Sequence, residues 1–348
     1  MFSLIKPYIF SLDPEEAHNL AIKSLRYNFI PENFFKVDGE EILETTLSGM
    51  NLKNPIGLAA GFDKSAEVYN SLFKLGYSFV EVGTITPKRQ LGNPKPRIFR
   101  LEKDRALINR LGFNNDGLEV ISKRISNNIP NGTLGINFGP NKDTKNKEDD
   151  FAECFTKLYK YSNYLTINIS SPNTEGLRDF HNKNLIIDLL DRLNKIKKKL
   201  KITKPIFLKL SPDIDDKEIS NILEAIFKFN INGIIISNTS DNSRSDLIDA
   251  HKNEKGGISG QPLKEISTIL IKKFYKETKN KISIIGVGGV DSGESAFEKI
   301  SAGANAVQLY TGMIYEGPGV VKKIKSELIT TLKKEKIKKM ANAVGINA

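Results

Sequence analysis

The 348-residue chain has only one cysteine, Cys154, and only three histidines, His18, His181 and His251. A single cysteine excludes an intramolecular disulfide framework and is typical of a protein in a reducing compartment. The histidines are scattered and form no pair with metal-ligand spacing, so we expect no zinc or iron site. Cys154 falls within a predicted helix, and we interpret it as a packing residue.

Long apolar runs are also missing from the sequence. No run reaches the roughly 20 apolar residues of a membrane-spanning helix, and no signal peptide is recognisable. The net charge of +11 is compatible with nucleic-acid binding. The lysines, however, fall largely on predicted helix faces and in the C-terminal tail, and no aromatic residues are interleaved as base-stacking platforms. We therefore favour a solvated basic surface and expect no nucleic-acid partner.

The apolar residues recur in eight short runs, most of them followed by a segment with helical spacing. Most runs do not alternate with polar residues, which is typical of strands covered on both faces. Eight such units predict an α/β protein with one closed (β/α)8 barrel. The alternative, an open doubly wound sheet, would require a Gly-x-Gly-x-x-Gly turn after the first strand, where the chain has Gly61-Phe62-Asp63-Lys64. The predicted strands are Pro55–Ala59, Phe79–Gly83, Thr133–Asn137, Tyr164–Ile169, Pro205–Lys209, Gly233–Ser237, Ser283–Val287 and Ala306–Tyr310. The predicted helices are Glu67–Leu75, Asp149–Tyr161, Leu185–Leu200, Asp216–Phe229, Lys264–Thr278, Glu294–Ala302 and Gly319–Leu332.

Residues 1–45 precede the barrel and are predicted to be a small helical extension. Asp13-Pro14-Glu15-Glu16 is typical of a helix start, with Asp13 as the N-cap and proline at the first helical position. Upstream, the apolar segment from Phe2 to Phe10 is expected to be broken at Pro7. Two short helices with apolar faces can cap the barrel, or they can lie in a bilayer interface and admit a lipophilic ligand. The pattern alone favours the cap, and residues 46–348 form the predicted barrel domain.

The fourth predicted strand ends in Ser170-Ser171-Pro172-Asn173. Barrel enzymes carry their chemistry at the carboxyl ends of the strands. Ser171 is a potential proton acceptor there, and it lies between two amides, Asn168 and Asn173, that can hold a planar uncharged heterocycle. The alternative interpretation is a plain Ser-Pro turn that ends the strand.

Other strand ends carry compatible groups. The small residues Ala60 and Gly61 would let a flat ring approach the backbone, and Lys64 can meet an anion. A phosphate nest is favoured over a plain tight turn by the glycines of Gly286-Val287-Gly288-Gly289 and by Tyr310-Thr311-Gly312 after the last strand. Lys209 ends the fifth predicted strand. Because these other groups lie at neighbouring strand ends, we interpret Lys209 as a positive charge beside a cofactor that carries an electron pair.

With these motifs the chain resembles dihydroorotate dehydrogenases of the membrane-associated, quinone-using class, over nearly its whole length. The resemblance implies oxidation of dihydroorotate to orotate, the redox step of pyrimidine (UMP) synthesis, with FMN in the barrel mouth and a membrane quinone as terminal acceptor. It further implies that residues 1–45 give quinone access and contact membrane lipid, in a peripheral protein on the cytoplasmic face of the inner membrane. The motifs are Gly57-Leu58-Ala59-Ala60-Gly61-Phe62-Asp63-Lys64, Gly83-Thr84-Ile85-Thr86-Pro87, Gly92-Asn93-Pro94-Lys95-Pro96-Arg97, Asn109-Arg110-Leu111-Gly112-Phe113-Asn114-Asn115, Asn168-Ile169-Ser170-Ser171-Pro172-Asn173, Gly256-Gly257-Ile258-Ser259-Gly260 and Gly286-Val287-Gly288-Gly289-Val290.

The resemblance also implies a role for each matched residue. Ser171 would be the catalytic base, at the position where the fumarate- or NAD-linked classes have a cysteine; the only cysteine here is Cys154, which argues against those classes. Ser237 stands where some relatives have threonine, and both supply a hydroxyl. The implied substrate contacts are Lys64, Asn109, Arg110, Leu111, Gly112, Phe113, Asn168, Asn173, Asn238 and Thr239. The implied FMN contacts are Ala60, Gly61, Phe62, Asp63, Lys64, Thr84, Asn137, Asn168, Lys209, Ser237, Gly260, Gly289, Tyr310 and Thr311.

Two other functional classes are weighed against this one. A non-redox phosphate-binding barrel, such as an isomerase or aldolase, keeps the phosphate nest but gives no role to the asparagines. A non-catalytic binding module leaves the convergence of polar groups on one face unexplained. The loop Thr174–Lys183 is polar and long, and we predict that it closes over bound substrate.

Overall fold

The computed structural model of the chain describes residues 2–27, 30–31, 34–242 and 244–348. Eight parallel strands form a closed barrel, which confirms the predicted fold. Each strand pairs with its neighbours in sequence, and the eighth pairs with the first. The predicted strand ends agree with the observed ones to within two residues. The barrel strands are Ile56–Leu58, Phe79–Ile85, Thr133–Phe138, Tyr164–Asn168, Ile206–Leu210, Gly233–Ile236, Ser283–Val287 and Ala306–Leu309.

The helices that surround the barrel follow the predicted spacing. Asp216–Phe229 and Lys264–Thr278 have the predicted bounds. Asp216–Phe229 begins with a capping box, in which the Asp215 carboxylate accepts from the Glu218 N–H at 2.7 Å and the Glu218 carboxylate accepts from the Asp215 N–H at 2.9 Å. The helix Leu118–Asn127 was not predicted, because a long excursion separates it from the second strand. The remaining barrel-side helices are Tyr69–Lys74, Lys147–Leu158, Lys183–Lys199, Gly293–Ser301, Thr311–Glu316 and Val320–Lys334.

Two small sheets lie at opposite ends of the barrel, and sequence reasoning missed both. At the carboxyl end, Ile98–Leu101, Ala106–Asn109 and Gly257–Gly260 form a three-stranded antiparallel sheet. At the amino end, the hairpin of Thr45–Leu47 and Met50–Leu52 packs with aromatic side chains of the barrel interior. The first sheet matters for function because its strand ends reach over the barrel mouth.

The N-terminal extension consists of two helices, Phe2–Ser11 and Pro14–Arg26. The Asp13 carboxylate accepts from the N–H groups of Glu15 and Glu16, as predicted for an N-cap. The expected break at Pro7 is wrong, because Pro7 lies inside the first helix. The ring fixes a helical φ there, and the hydrogen bond it removes would go to a carbonyl of an exposed first turn. No helix in the described ranges has the length and hydropathy to cross a membrane.

A buried ion pair fastens the second helix to the barrel. Glu15 and Arg97 are 9% and 7% exposed. The Arg97 guanidinium donates to both carboxylate oxygens of Glu15, at 3.0 Å and 2.7 Å. A bidentate pair of this kind fixes orientation as well as distance. Arg100 adds bonds to the backbone carbonyls of Phe10 and Leu12, so both helices are held against the three-stranded sheet.

Candidate functional site

A cavity lies at the carboxyl ends of the barrel strands. Its wall combines strand ends with residues of the three-stranded sheet, which is where barrel enzymes place their sites. Most of the residues predicted from sequence line this one cavity. They are Ala60, Gly61, Lys64, Thr84, Asn109, Leu111, Gly112, Phe113, Asn168, Ser171, Asn173, Lys209, Ser237, Asn238, Thr239, Gly260, Gly289, Tyr310 and Thr311.

The lining also includes residues that were not assigned a role. Some of these are apolar side chains of the three-stranded sheet and of the strand-seven turn. Their short, separate stretches of sequence show no pattern that connects them with the strand ends. They include Ile98, Leu107, Ser259, Leu263, Val287 and Val290.

Asn137 does not line the cavity but lies one layer below it, fully buried. Its Oδ1 accepts from Thr84 Oγ1 at 2.7 Å and from Asn168 Nδ2 at 3.1 Å. Asn137 therefore fixes two residues that do line the cavity. Three other predicted contacts also lie outside the lining: Phe62, Asp63 and Arg110.

Asp63 and Arg110 have structural partners instead. The Asp63 carboxylate accepts from the N–H groups of Glu67 and Val68, and burial raises its pKa to about 6. The Arg110 guanidinium pairs with Glu254 at 2.8 Å. Neither residue lines the cavity, and the partners of both side chains also lie outside its lining.

The asparagine cluster is held in place by direct hydrogen bonds. Asn168 Oδ1 accepts from Ser170 Oγ at 3.0 Å, and Ser170 Oγ accepts from Asn238 Nδ2 at 2.9 Å. Asn173 Nδ2 donates to the Asn109 carbonyl at 3.2 Å. The amides are thus oriented in advance, which suits recognition of a planar ligand through paired donors and acceptors.

Ser171 lines the cavity and is 5% exposed. Its Oγ accepts from the Asn173 N–H at 3.2 Å. This bond is the one expected for a plain Ser-Pro turn. The turn and the cavity-facing hydroxyl therefore occur together, and the turn does not exclude a catalytic role.

Lys209 brings a buried positive charge to the cavity floor. It is 4% exposed, and its Nζ lies 3.9 Å from Glu81 Oε1. Burial lowers the pKa of Lys209, and Glu81 opposes that shift. Glu81 is fully buried in the barrel interior and accepts from Asn137, Tyr164 and Thr166. Sequence reasoning missed Glu81, although an acid within the otherwise uncharged strand Phe79–Ile85 is a signal.

Lys64 reaches the cavity from the first strand end and also contacts the N-terminal extension. Burial lowers its pKa to about 8. Its Nζ lies 3.2 Å from Nε2 of His18. Burial and the charge of Lys64 hold the pKa of His18 well below its usual range, so the neutral imidazole accepts a hydrogen bond from the ammonium. His18 was read from sequence only as an isolated histidine.

The turn after strand seven has the shape of an anion cradle. Gly288 and Gly289 have φ values of 113° and 69°, a region that favours glycine. A Cβ on Gly289 would lie 2.5 Å from the Cβ of Lys264, so a side chain would clash with the first residue of the helix Lys264–Thr278, which precedes strand seven. The turn therefore fits close against a helix N-terminus, an arrangement that favours a phosphate group.

A second cavity lies beneath the two N-terminal helices. Its lining is largely apolar and includes Phe2, Ile9 and Leu20 of the extension and Phe62 of the barrel. It shares three lining residues with the first cavity. These are Ile98, Leu107 and Tyr310. The helices therefore cover the barrel and also enclose an apolar space that reaches the wall of the polar site.

Comparisons with known proteins agree with this geometry. The family model for dihydroorotate dehydrogenase matches residues 42–332. Dihydroorotate dehydrogenase (quinone) from Bartonella tribocorum is 46% identical over 332 residues, covering 94% of this chain and 91% of the relative. The enzyme of the same name from Christiangramia forsetii is 45% identical over 338 residues, covering 94% and 98%.

Solved structures give the same result. The crystal structure of DHODH from Eimeria tenella in complex with ferulenol is similar to this chain with a TM-score of 0.92 and 38% identity, covering 96% of both chains. The ligand-free form of that protein has a TM-score of 0.91. Family and fold therefore agree, and the resemblance inferred from the motifs is confirmed. The chain belongs to the dihydroorotate dehydrogenase family.

Proposed function

We propose that this chain oxidises dihydroorotate to orotate, the redox step of pyrimidine synthesis, with FMN as cofactor and a membrane quinone as terminal acceptor. The observation that carries the proposal is the pair of cavities that meet at Ile98, Leu107 and Tyr310. One is polar and suits a heterocyclic acid, and the other is apolar and suits a lipophilic acceptor. A non-redox isomerase or aldolase would have no use for the second cavity.

The residues at the barrel mouth fit FMN. When bound, FMN supplies a hydride acceptor and a carrier of electrons. Its phosphate would lie at Gly289 and the Tyr310-Thr311 backbone, where the glycine turn leaves no room for side chains. Its ring would lie by Ala60 and Gly61, and the buried ammonium of Lys209 would stabilise negative charge there.

The other predicted residues bind the substrate and remove its proton. Lys64 pairs with the substrate carboxylate, and the amides of Asn109, Asn173 and Asn238 bind the edges of the pyrimidine ring. Ser171 removes a proton from the substrate carbon. A free serine is a weak base, so Ser171 must pass the proton on to water or to a neighbouring hydroxyl.

The deciding experiment compares electron acceptors for the purified full-length chain. The protein should be yellow, with flavin absorbance at roughly 450 nm, and dihydroorotate should bleach it. Steady-state turnover should require a quinone, and fumarate or NAD should not replace it. A colourless protein that does not bind FMN, or turnover that is faster with NAD than with quinone, would contradict the proposal.

The charge of Lys64 should set a pH limit on substrate binding. Because the pKa of Lys64 is lowered to about 8, the ammonium that pairs with the substrate is fully present below that pH and is lost above it. We expect kcat/KM for dihydroorotate to fall as the pH rises through about 8, since this ratio reports groups of the free enzyme. A profile that stays flat from well below to well above this pH, at saturating quinone, would rule out Lys64 as the carboxylate partner.

The loop Thr174–Lys183 is proposed as the cover of the substrate site. Phe180 and His181 are buried, and Arg178 ties the loop to Asp213 at 3.1 Å and to the Thr239 carbonyl at 3.2 Å. Since Thr239 lines the cavity, bound orotate should strengthen this closure. Limited proteolysis should cut the loop more slowly with orotate than without it, and equal rates would count against the cover.

The chain is proposed to bind the cytoplasmic face of the inner membrane as a peripheral protein. Leu4 and Tyr8 are each 76% exposed and Ile5 is 50% exposed, all on the first helix. Exposed apolar side chains on a short surface helix suit insertion at a bilayer interface. The lysines of the C-terminal tail add attraction to anionic lipids.

A further inference from the structure

A lysine side chain is completely buried behind the glycine turn that follows strand seven. Lys299, on the helix Gly293–Ser301, has no exposed surface. Its Nζ donates to the Lys264 carbonyl at 3.0 Å, to Thr268 Oγ1 at 3.0 Å and to Ser267 Oγ. All three acceptors lie within the first five residues of the helix Lys264–Thr278. The ammonium is therefore held rigidly at the start of that helix.

Lys299 has no carboxylate partner within the described ranges. The adjacent acid, Glu298, pairs with Lys264 at 2.9 Å instead. Asp291, on the turn, pairs with Arg105, and Glu327, on the neighbouring helix, accepts from the Gly293 N–H. A buried charge held only by neutral groups is costly. A bound anion would complement this charge.

The glycine turn lies directly on the group that holds this ammonium. A Cβ on Gly286 would lie 3.2 Å from the Cβ and the Cδ of Lys299. A Cβ on Gly288 would lie 3.1 Å from Ser267 Oγ. The turn, the ammonium and the positive end of the helix that begins at Lys264 are thus stacked together.

We propose that Lys299 is a positioning residue for the flavin phosphate. Its charge lies behind Gly286–Gly289, which are the end of strand seven and the turn after it, and makes the phosphate cradle electropositive without touching the ligand. This inference rests on the proposed FMN function. It assigns to Lys299 the preference of the chain for FMN over riboflavin, which lacks the phosphate. A purely structural Lys299, which only ties two helices together, would affect all flavins alike.

The proposed role of Lys299 couples FMN binding to the protonation of its side chain. Burial lowers the pKa of Lys299 to about 7; the charge of Lys264 acts in the same direction and that of Glu298 opposes it. A dianionic phosphate nearby would raise the pKa again. At about pH 8, where a phosphate monoester is fully dianionic, FMN binding should therefore be accompanied by proton uptake at Lys299.

The test compares FMN with riboflavin, which lacks the phosphate. The full-length chain is freed of flavin and titrated with each ligand by fluorescence quenching. For Lys299→Met we expect the Kd of FMN to rise by about tenfold or more, as for loss of a nearby charge, and the Kd of riboflavin to stay constant. Equal weakening of both ligands, or no change in either, would overturn the inference.

Lys325→Met is the matched control. Lys325 is also buried, but it lies on Val320–Lys334 and pairs with Glu40 at 2.6 Å, away from the turn. Its loss should leave the ratio of FMN to riboflavin affinity unchanged. An equal change of that ratio in both variants would mean that any buried lysine has this effect, and would overturn a specific role for Lys299.

Calorimetry provides a second measurement. In two buffers of different ionisation enthalpy at pH 8, the wild-type chain should take up protons on binding FMN, and Lys299→Met should not. Lys64 and Lys209 are present in both proteins, so only the difference in proton uptake between the two proteins is assigned to Lys299.

If the Met variant does not fold, Thr268→Val keeps the charge of Lys299 but holds it less rigidly. This variant should weaken the binding of FMN more than that of riboflavin, and equal weakening would again contradict the inference. A wild-type chain that binds neither flavin would refute the proposed function itself, whereas tight wild-type FMN binding with an unchanged ratio refutes only this inference.

Discussion

Replacing Ser171 with alanine should slow the reduction of bound flavin by dihydroorotate by at least about a hundredfold at neutral pH. This is the usual scale for loss of a general base. Stopped-flow absorbance in a single turnover measures the step directly. FMN content should be unchanged, because Ser171 is assigned to the substrate and not to the cofactor.

The chain contains a matched control for the Ser-Pro turn. Ser211-Pro212 follows the fifth barrel strand, and Ser211 Oγ accepts from the Asp213 N–H at 3.2 Å, the same bond that Ser171 makes with Asn173. Ser211 is buried but does not line the polar cavity. Ser211→Ala should therefore leave flavin reduction near the normal rate. If Ser171→Ala also reduces its flavin at the normal rate, the assignment of the base is wrong.

The sequence predicted those parts of the site that lie at the ends of barrel strands. Asn168 and Lys209 each come within a predicted strand or at its last residue, and parallel strands in a closed barrel bring such ends together. Knowing the strands was therefore enough to place these side chains in one cavity. The same reasoning placed Asn137 at a strand end, but the side chain bonds to Thr84 and Asn168 beneath the cavity.

Other parts depend on contacts between distant residues. Asn109 pairs with Gly257 in the three-stranded sheet, and both belong to strands of only four residues. Short strands with glycine have little periodicity to detect. Glu81 stands out as the single acid of its strand, but its partners Tyr164 and Thr166 lie on another strand and meet it only when the barrel closes.

The contacts of His18, where the extension meets the barrel, likewise could not be predicted from the sequence. In sequence it is one histidine on a predicted amphipathic helix, without a metal-ligand partner. In the structure its Nε2 contacts Lys64, and its ring packs edge-on against Phe62 at 5.1 Å. The helix therefore contributes to the surroundings of a predicted substrate residue, which neither the cap nor the membrane interpretation anticipated.

Deleting residues 1–36 should separate the two half-reactions. The truncated chain begins at Val37 and so keeps Glu40, which pairs with the buried Lys325. All eight barrel strands remain, so the truncated chain should hold FMN, and dihydroorotate should reduce it in a single turnover. Turnover with a long-tailed quinone should collapse, because the apolar cavity loses the walls formed by Phe2–Ser11 and Pro14–Arg26.

Membrane attachment should weaken in the same truncated protein. The apolar contribution of the first helix resists salt, whereas attraction between lysines and anionic lipids is screened. A high-salt wash of membranes therefore distinguishes attachment through the apolar helix from attachment through the lysines. The wild-type chain should stay bound in high salt, and the truncated chain should be released.

A point variant keeps this prediction testable if the truncated chain aggregates through its newly exposed apolar surface. Ala21 lies on the second helix and lines the apolar cavity. Ala21→Trp should fill that cavity and slow turnover with long-tailed quinone, while reduction of the flavin by dihydroorotate keeps its normal rate because none of the predicted substrate contacts has changed. If the soluble, flavin-loaded truncated chain or Ala21→Trp oxidises long-tailed quinone as fast as the full chain, the acceptor does not enter beneath these helices, and the N-terminal extension is only a structural cap.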